Sequence, residues 1–256
     1  MTRFALLLLL AAAQAHAVHA QEVPRPSPQM IEDLVAANRI LAKEGVLDGW
    51  GHVSVRLSPH HFLMAKAVPP GLVQANDLYV WDLDARPVSG KPDDSYSERF
   101  IHAEIYRARA DVHAVVHNHA PALIPFGVSS VPLRPLYHRS SFIGLGVPVF
   151  EIRERFGMTD LLIRNAALGK ALAETLGDKP AALMRGHGVT VVGPSIPRVV
   201  SRSIFLALNA TLQLQAMSLG QPITYMDVEE TRLIEAREGH GLKRAWEAWK
   251  QNALGK

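Results

Sequence analysis

The sequence predicts a single α/β domain in which helices cover a mostly antiparallel sheet. Three observations predict it. Short apolar or alternating runs punctuated by Gly and Pro follow one another closely (HVSVRL, HFLMAK, LYVWDL), as strands joined by tight connections do. Longer stretches between and after them carry apolar residues at helical spacing. No internal repeat, low-complexity tract or second linker divides the chain. The composition agrees: 256 residues, 48% hydrophobic, 20% charged and a net charge of +3 are ordinary for a soluble chain with one core. Positive residues are scattered, and no Lys/Arg run is interleaved with aromatics. Nucleic acid is therefore not the expected partner.

Taken in order, the first twenty residues are expected to lie outside the domain. Arg3 supplies a positive n-region, Phe4 to Ala13 an apolar core, and Ala15, Ala17 and Ala20 the small residues of a cleavage region, the pattern of a secretory signal. Cleavage is expected after Ala20, with Ala17 as the alternative. The apolar run is too short to span a bilayer comfortably, so the mature chain is expected to be exported, in all expectation to the periplasm, without stable membrane insertion. A stiff polar linker (residues 21–29, containing PRPSP) then leads into the domain at 30–256. Ile31, Leu34, Val35 and Leu41 mark a first helix that Gly45 is placed to end. The three strands follow. Phe100, Ile101, Ile105 and Tyr106 give SERFIHAEIYRARA an apolar helical face. HAVVHNH reads as a strand, LLIRNAALGKALAETL as a helix, and AALMRGHGVTVVG as two strands joined or bent at Gly186 and Gly188. Residues Ser195 to about Gly220 are strongly helical, and REGHGLKRAWEAWKQNAL closes the chain with another helix.

Cysteine is absent and His numbers 12, so a metal site here must be built from His, Asp or Glu. On a strand, residues two apart point to the same side. His117 and His119 would thus present both imidazoles to one face while Asn118 turns away, a workable pair of ligands for a divalent ion. Two half-exposed polar residues at a strand end are the plainer reading of the same pair. His187 stands between Gly186 and Gly188, and flanking glycines permit close backbone approach or positive φ. Glu98 has two readings. Ser95-x-x-Glu98 fits a capping box at a helix start, which spacing alone favours; the alternative is a carboxylate beside the metal that moves a proton. His102, one helical turn on, either faces the same cleft or hydrogen-bonds at the surface.

Together, GHVSVR (51–56), YSERFIHAEIYRARADVHAVVHNHAPA (96–122) and LMRGHGVTVVG (183–193) resemble the class II aldolase/adducin family, and the likeness runs from about Met30 to about Gly220. The resemblance implies a three-layer α/β/α fold around a central, mostly antiparallel sheet. It implies a homotetramer with its active site between subunits, and a divalent ion, zinc or manganese, held by His117, His119 and His187. Glu98 matches the carboxylate that alternates between metal contact and proton transfer. The family's sugar-phosphate members carry Asn at the position of His52 and a second Ser at that of Tyr96, which argues against a sugar phosphate here. GHVSVR, SERFIH and the YH of PLYHRS are similar to the branch that decarboxylates hydroxylated aromatic or ring-opened dicarboxylates. His52, Tyr96, Ser97, Arg99, His138 and Arg185 then become candidate contacts for a small carboxylic acid. An aldolase acting on a non-phosphorylated hydroxy-keto acid is the second expectation, and an exported metal- or ligand-binding protein without turnover the third.

Overall fold

The computed structural model describes residues 23–91, 94–237 and 241–255. The expected signal segment lies outside them. Seven strands form one sheet: β1 (His52–Ser58), β2 (His61–Ala65), β3 (Leu78–Asp82), β4 (Ala114–Asn118), β5 (Val149–Phe150), β6 (Ala181–Met184) and β7 (Gly188–Gly193), in the spatial order β3-β2-β1-β4-β7-β6-β5. Every pairing is antiparallel except the short β5–β6 pair.

Helices cover both faces, and strand parity decides which side chain meets which layer. Val53, Val55, Ala114, Val116, Val189 and Val191 share one core with α1 (Pro28–Lys43) and α6 (Ile196–Ser218), and Trp246 of α8 (Leu242–Leu254) joins them. Val115 and Val192 face the other way. They pack with Ile101 and Ile105 of α2 (Arg99–Ala108) and Leu172 of α5 (Ala166–Leu176). The short α3 (Ile124–Val128), α4 (Arg153–Phe156) and α7 (Val228–Glu235) complete the set. This is the expected three-layer α/β/α arrangement.

Local chemistry sets the helix ends. The Ser27 hydroxyl accepts from the Met30 amide and Pro28 occupies the first turn of α1, which suits proline because its missing N–H would be unpaired there. Gly45, at φ +69°, lies just past that helix. Ser195 caps α6 in the same way. Two expected helices are shorter than their apolar pattern. α5 begins at Ala166, after Asn165 caps it, and residues 161–164 stay irregular, with Leu161 at φ +67°. A non-glycine residue held there signals strain retained for a purpose; the purpose lies in the site described next. α2 begins only at Arg99, and its N-cap, Glu98, makes no capping hydrogen bond with its side chain. The expected Ser95–Glu98 capping box is therefore overturned.

Candidate metal and active site

Parity places the first ligand. His117 shares the face of Val115 in β4, toward α2, and Asn118 points to the opposite layer, where its Oδ1 accepts from the Ala120 amide. His119 follows just past the strand. The third imidazole comes from the β6–β7 connection, where the two glycines do different work. Gly186 holds φ +64°, and Gly188 lies so close to β4 that an added Cβ would come within 2.2 Å of the Asn118 carbonyl oxygen and 3.0 Å of His119 Cδ2. One glycine turns the chain; the other lets His187 reach its partners. Glu98 arrives from the start of α2. Its Oε1 accepts from the Ile163 amide at 2.9 Å, and its Oε2 stands 3.5 Å from His117 Nε2 and 3.3 Å from His187 Nε2. Ligand atoms of Glu98, His117, His119 and His187 all lie within 4.8 Å of one another.

The tautomer of each histidine follows from its other nitrogen. His117 Nδ1 meets the Val189 carbonyl at 3.2 Å, His187 Nδ1 the Leu161 carbonyl at 3.0 Å, and His119 Nδ1 the Asp48 carboxylate at 2.9 Å. A carbonyl or carboxylate oxygen only accepts, so each Nδ1 carries the proton and each Nε2 turns a lone pair inward. His117 Nε2 and His119 Nε2 are 3.0 Å apart. Two lone pairs at that separation repel unless a proton or a cation lies between them. Ligands about 2.0–2.1 Å from a tetrahedral zinc stand about 3.3 Å from each other, close to the spacing seen. The donor set of three imidazole nitrogens and one carboxylate suits zinc and is equally acceptable to manganese. The residues therefore fit a divalent ion.

Electrostatics agree with that assignment. Burial raises the Glu98 carboxyl, but the neighbouring His117 and His187 imidazoles outweigh it and hold it well below the usual carboxylate range. Burial pushes His117 below 6.5 and keeps it neutral. Burial acts downward on His187 too, yet its hydrogen bond to Glu98 lifts it above 6.5.

A pocket of about 200 Å³ opens beside this cluster, lined by Trp50, His52, Tyr96, Ser97 and Leu162 in addition to Glu98, His119 and His187. The candidate contacts His52, Tyr96 and Ser97 are thus brought to the site. Tyr96 donates its hydroxyl proton to the Val68 carbonyl, its ring packs 4.6 Å from that of His52, and burial pushes its phenol up to about 12. Three others are not brought there. Arg99 is one residue further round the helix than Glu98; its guanidinium donates to the Ala85 and Tyr96 carbonyls and lies over the Phe100 ring. Arg185 pairs with Glu151. His138 opens a 3-10 segment against α6, in the layer across the sheet from α2, and lines a separate cavity. His102 is fully buried behind His52, neither in the cleft nor at the surface.

Sequence reasoning missed three participants. Asp48 orients His119 and is itself held by the Trp50 and Gly51 amides, which together with His119 overcome burial and depress its pKa. The Leu161 carbonyl orients His187 and the Ile163 amide orients Glu98, which accounts for the irregular, strained entry to α5. An Asp in a Gly-rich turn just ahead of His52 was the available signal for the first. Backbone groups leave none.

Residues 32–214 match the profile of the Class II Aldolase and Adducin N-terminal domain. The chain is 35% identical over 250 residues to the decarboxylase TropJ of Talaromyces stipitatus, covering 88% of this chain and 94% of the relative. It is 30% identical to the 3,4-dihydroxyphthalate decarboxylase of Arthrobacter keyseri, covering 86% and 90%. Among solved structures, L-fuculose 1-phosphate aldolase from Glaciozyma antarctica superposes with a TM-score of 0.73 at 23% identity, over 90% of this chain and 93% of that one; at that identity the likeness concerns the fold.

Proposed function

The chain belongs to the class II aldolase and adducin family, and from that premise we propose that it is a metal-dependent carbon–carbon lyase that decarboxylates a hydroxylated aromatic or ring-opened dicarboxylic acid. The observation that carries this reading is the convergence of three Nδ1-anchored imidazoles on the buried Glu98 carboxylate. A cluster kept this complete argues against a purely structural member. Decarboxylation is favoured over aldol cleavage by the two decarboxylases to which the chain is similar, and by His52 and Tyr96 lining the pocket.

Loss of carbon dioxide leaves an electron pair on carbon, and it is fast only if a conjugated oxygen takes up the charge. A divalent ion, zinc or manganese, held by His117, His119 and His187 supplies that Lewis-acid stabilisation, worth several kcal/mol. Glu98 handles the proton. As an anion it takes the substrate hydroxyl proton on Oε2, and after carbon dioxide departs it returns that proton to the ring carbon. Solvent then supplies the proton consumed overall. The Ile163 amide keeps Oε1 occupied, so Oε2 is the oxygen that serves both steps. Leu162 and Tyr96 line the cleft beside Glu98.

The test is a screen of zinc- and manganese-loaded protein against hydroxylated aromatic dicarboxylates, 3,4-dihydroxyphthalate first. Carbon dioxide release supports decarboxylation, aldehyde release from hydroxy-keto acids would assign an aldolase instead, and bound metal without turnover on any acid would assign a binding protein.

Two further parts of the proposal concern context. We propose that copies of the chain assemble, as a tetramer, so that a neighbour closes the pocket. In support, about 200 Å³ is less than the roughly 300–1,000 Å³ of typical small-molecule sites, and Trp50 at its rim is 74% exposed. We also propose export to the periplasm, on the strength of the Arg3 and Phe4–Ala13 pattern. Light scattering of the purified protein tests the first. N-terminal sequencing of the protein from a periplasmic fraction tests the second: a mature end at Gln21 supports it, and an intact Met1 would refute it.

A further inference from the structure

Behind the pocket lies a line of polar side chains that the reaction above does not use. His52 and Ser54 share a face of β1 by the two-residue period of a strand, and His102 and Tyr106 share a face of α2 at one helical turn. Where α2 crosses β1 the two pairs meet. The Tyr106 hydroxyl is 2.8 Å from Ser54 Oγ, Ser54 Oγ is 2.6 Å from His102 Nδ1, and His102 Nε2 is 2.6 Å from His52 Nδ1. None of the four is more than 2% exposed. Groups buried this deeply must satisfy one another.

That requirement gives the chain a direction. Burial pushes the Tyr106 phenol upward, so it keeps its proton. His52 and His102 are almost wholly removed from solvent, which favours the neutral ring, so each imidazole carries one proton. On geometry either oxygen of this pair could donate, but a phenol is the more acidic hydroxyl and the better donor, so Tyr106 donates to Ser54 Oγ. Ser54 then spends its single proton on His102 Nδ1. His102 is left with its proton on Nε2, which donates to His52 Nδ1. The His52 proton consequently resides on Nε2, the ring nitrogen that His102 leaves unengaged, in a residue that lines the pocket.

We infer that Tyr106, Ser54 and His102 are positioning residues that fix His52 as an Nε2–H donor, and that this donor receives a carboxylate oxygen of the substrate. The contrast with the metal cluster is direct. His117, His119 and His187 have Nδ1 bound to an acceptor and turn lone pairs inward; His52 has Nδ1 bound to a donor and turns a proton outward. A neutral N–H in a low-dielectric pocket favours an acceptor that has no proton of its own to offer, as a carboxylate has none. The choice of a substrate carboxylate rests on the decarboxylase reading, whereas the position of the His52 proton does not.

The experiment is nitrogen-15 NMR of histidine-labelled, zinc-loaded protein, with the His52 signals identified by their loss in His52→Asn. The expected result is a proton on His52 Nε2, and a shift toward the Nδ1–H form in Tyr106→Phe, where Ser54 Oγ becomes free to accept from His102. A proton on His52 Nδ1 in the unaltered protein would overturn the inference. So would an unchanged tautomer in Tyr106→Phe, because a merely structural Tyr106 would lower the melting temperature and leave the His52 proton in place. With 3,4-dihydroxyphthalate as probe, Tyr106→Phe and Ser54→Ala should raise KM or the dissociation constant roughly tenfold with kcat less affected. His102→Gln, which still offers an N–H to His52 Nδ1, should recover part of what His102→Leu loses. An Nε2–H His52 in a protein that decarboxylates nothing would sink the decarboxylase reading and leave the chain's polarity standing.

Discussion

Among the described residues, two cavities that carry histidine differ in what their polar groups face. The larger, about 580 Å³, is lined by His138, Arg139, Arg198, Arg237 and Arg244 among others. The smaller, about 200 Å³, holds Glu98, His52, His119 and His187, with His117 behind them. Size favours the first as a binding site; chemistry favours the second. Its imidazoles are oriented by fixed oxygen acceptors on their far sides, and its carboxylate is anchored by a backbone amide. Oriented lone pairs in a buried setting make a reactive site, and volume alone does not. The lining arginines of the larger cavity suit it to an anionic face, and the carboxylate beside it, Glu235, accepts from the Ser141 hydroxyl.

Several changes would break or sharpen that comparison. The largest effect is expected for His117→Ala, which removes the fully buried ligand standing 3.0 Å from His119 Nε2 and 3.5 Å from Glu98 Oε2. Elemental analysis should find the metal lost, and turnover should fall by about 10³-fold or more, the equivalent of about 4 kcal/mol. Full metal with full activity would refute the assignment. Glu98→Gln is expected to keep the ion and lose roughly 10²- to 10⁴-fold in kcat, separating proton transfer from metal binding. Asp48→Asn should weaken metal affinity about 10- to 100-fold while kcat at saturating metal stays near normal; competition with a chromogenic chelator measures this.

The pH dependence follows from His187. Its pKa in the folded, metal-free protein is raised above 6.5, so it contributes stability that is fully present below 6.5 and is lost as pH rises through the raised value. Metal binding requires the neutral imidazole, so metal affinity should run the opposite way and fall as pH drops through that same value, by about tenfold per unit for each proton displaced. Melting temperatures with and without zinc should diverge as pH rises; parallel curves would contradict the model of proton competition at this cluster. His138→Ala should have the smallest effect: unchanged metal content, with KM raised a few-fold if the neighbouring subunit turns this face toward the pocket. A KM unchanged in a confirmed tetramer would separate the two cavities functionally.

The difference between the cavities also marks where the sequence was informative. His117 and His119 were legible because a strand repeats every two residues, and the roles of Gly186 and Gly188 because only glycine tolerates positive φ or so close an approach. His138 and Arg99 were named from the likeness of PLYHRS and SERFIH to the decarboxylase branch and lie elsewhere. His138 sits on the layer across the sheet, and Arg99 is rotated about 100° from Glu98 by the helix itself. Glu98 fitted two patterns, and spacing alone favoured the cap. What separated them was the Ile163 amide, more than sixty residues away in sequence.

By itself, then, the sequence determined most of the elements and the face each strand residue takes, because periodicity is a local property, while the resemblance to the family pointed to the histidines expected to hold the ion. Tertiary structure decided the rest. It brought Asp48, the Leu161 carbonyl and the Ile163 amide to the far sides of the ligands, and it laid α2 across β1 so that Tyr106, Ser54 and His102 line up behind His52. The physical reason is that a proton's position depends on what lies on the other side of the ring. That partner comes from a distant part of the chain, where no local pattern records it.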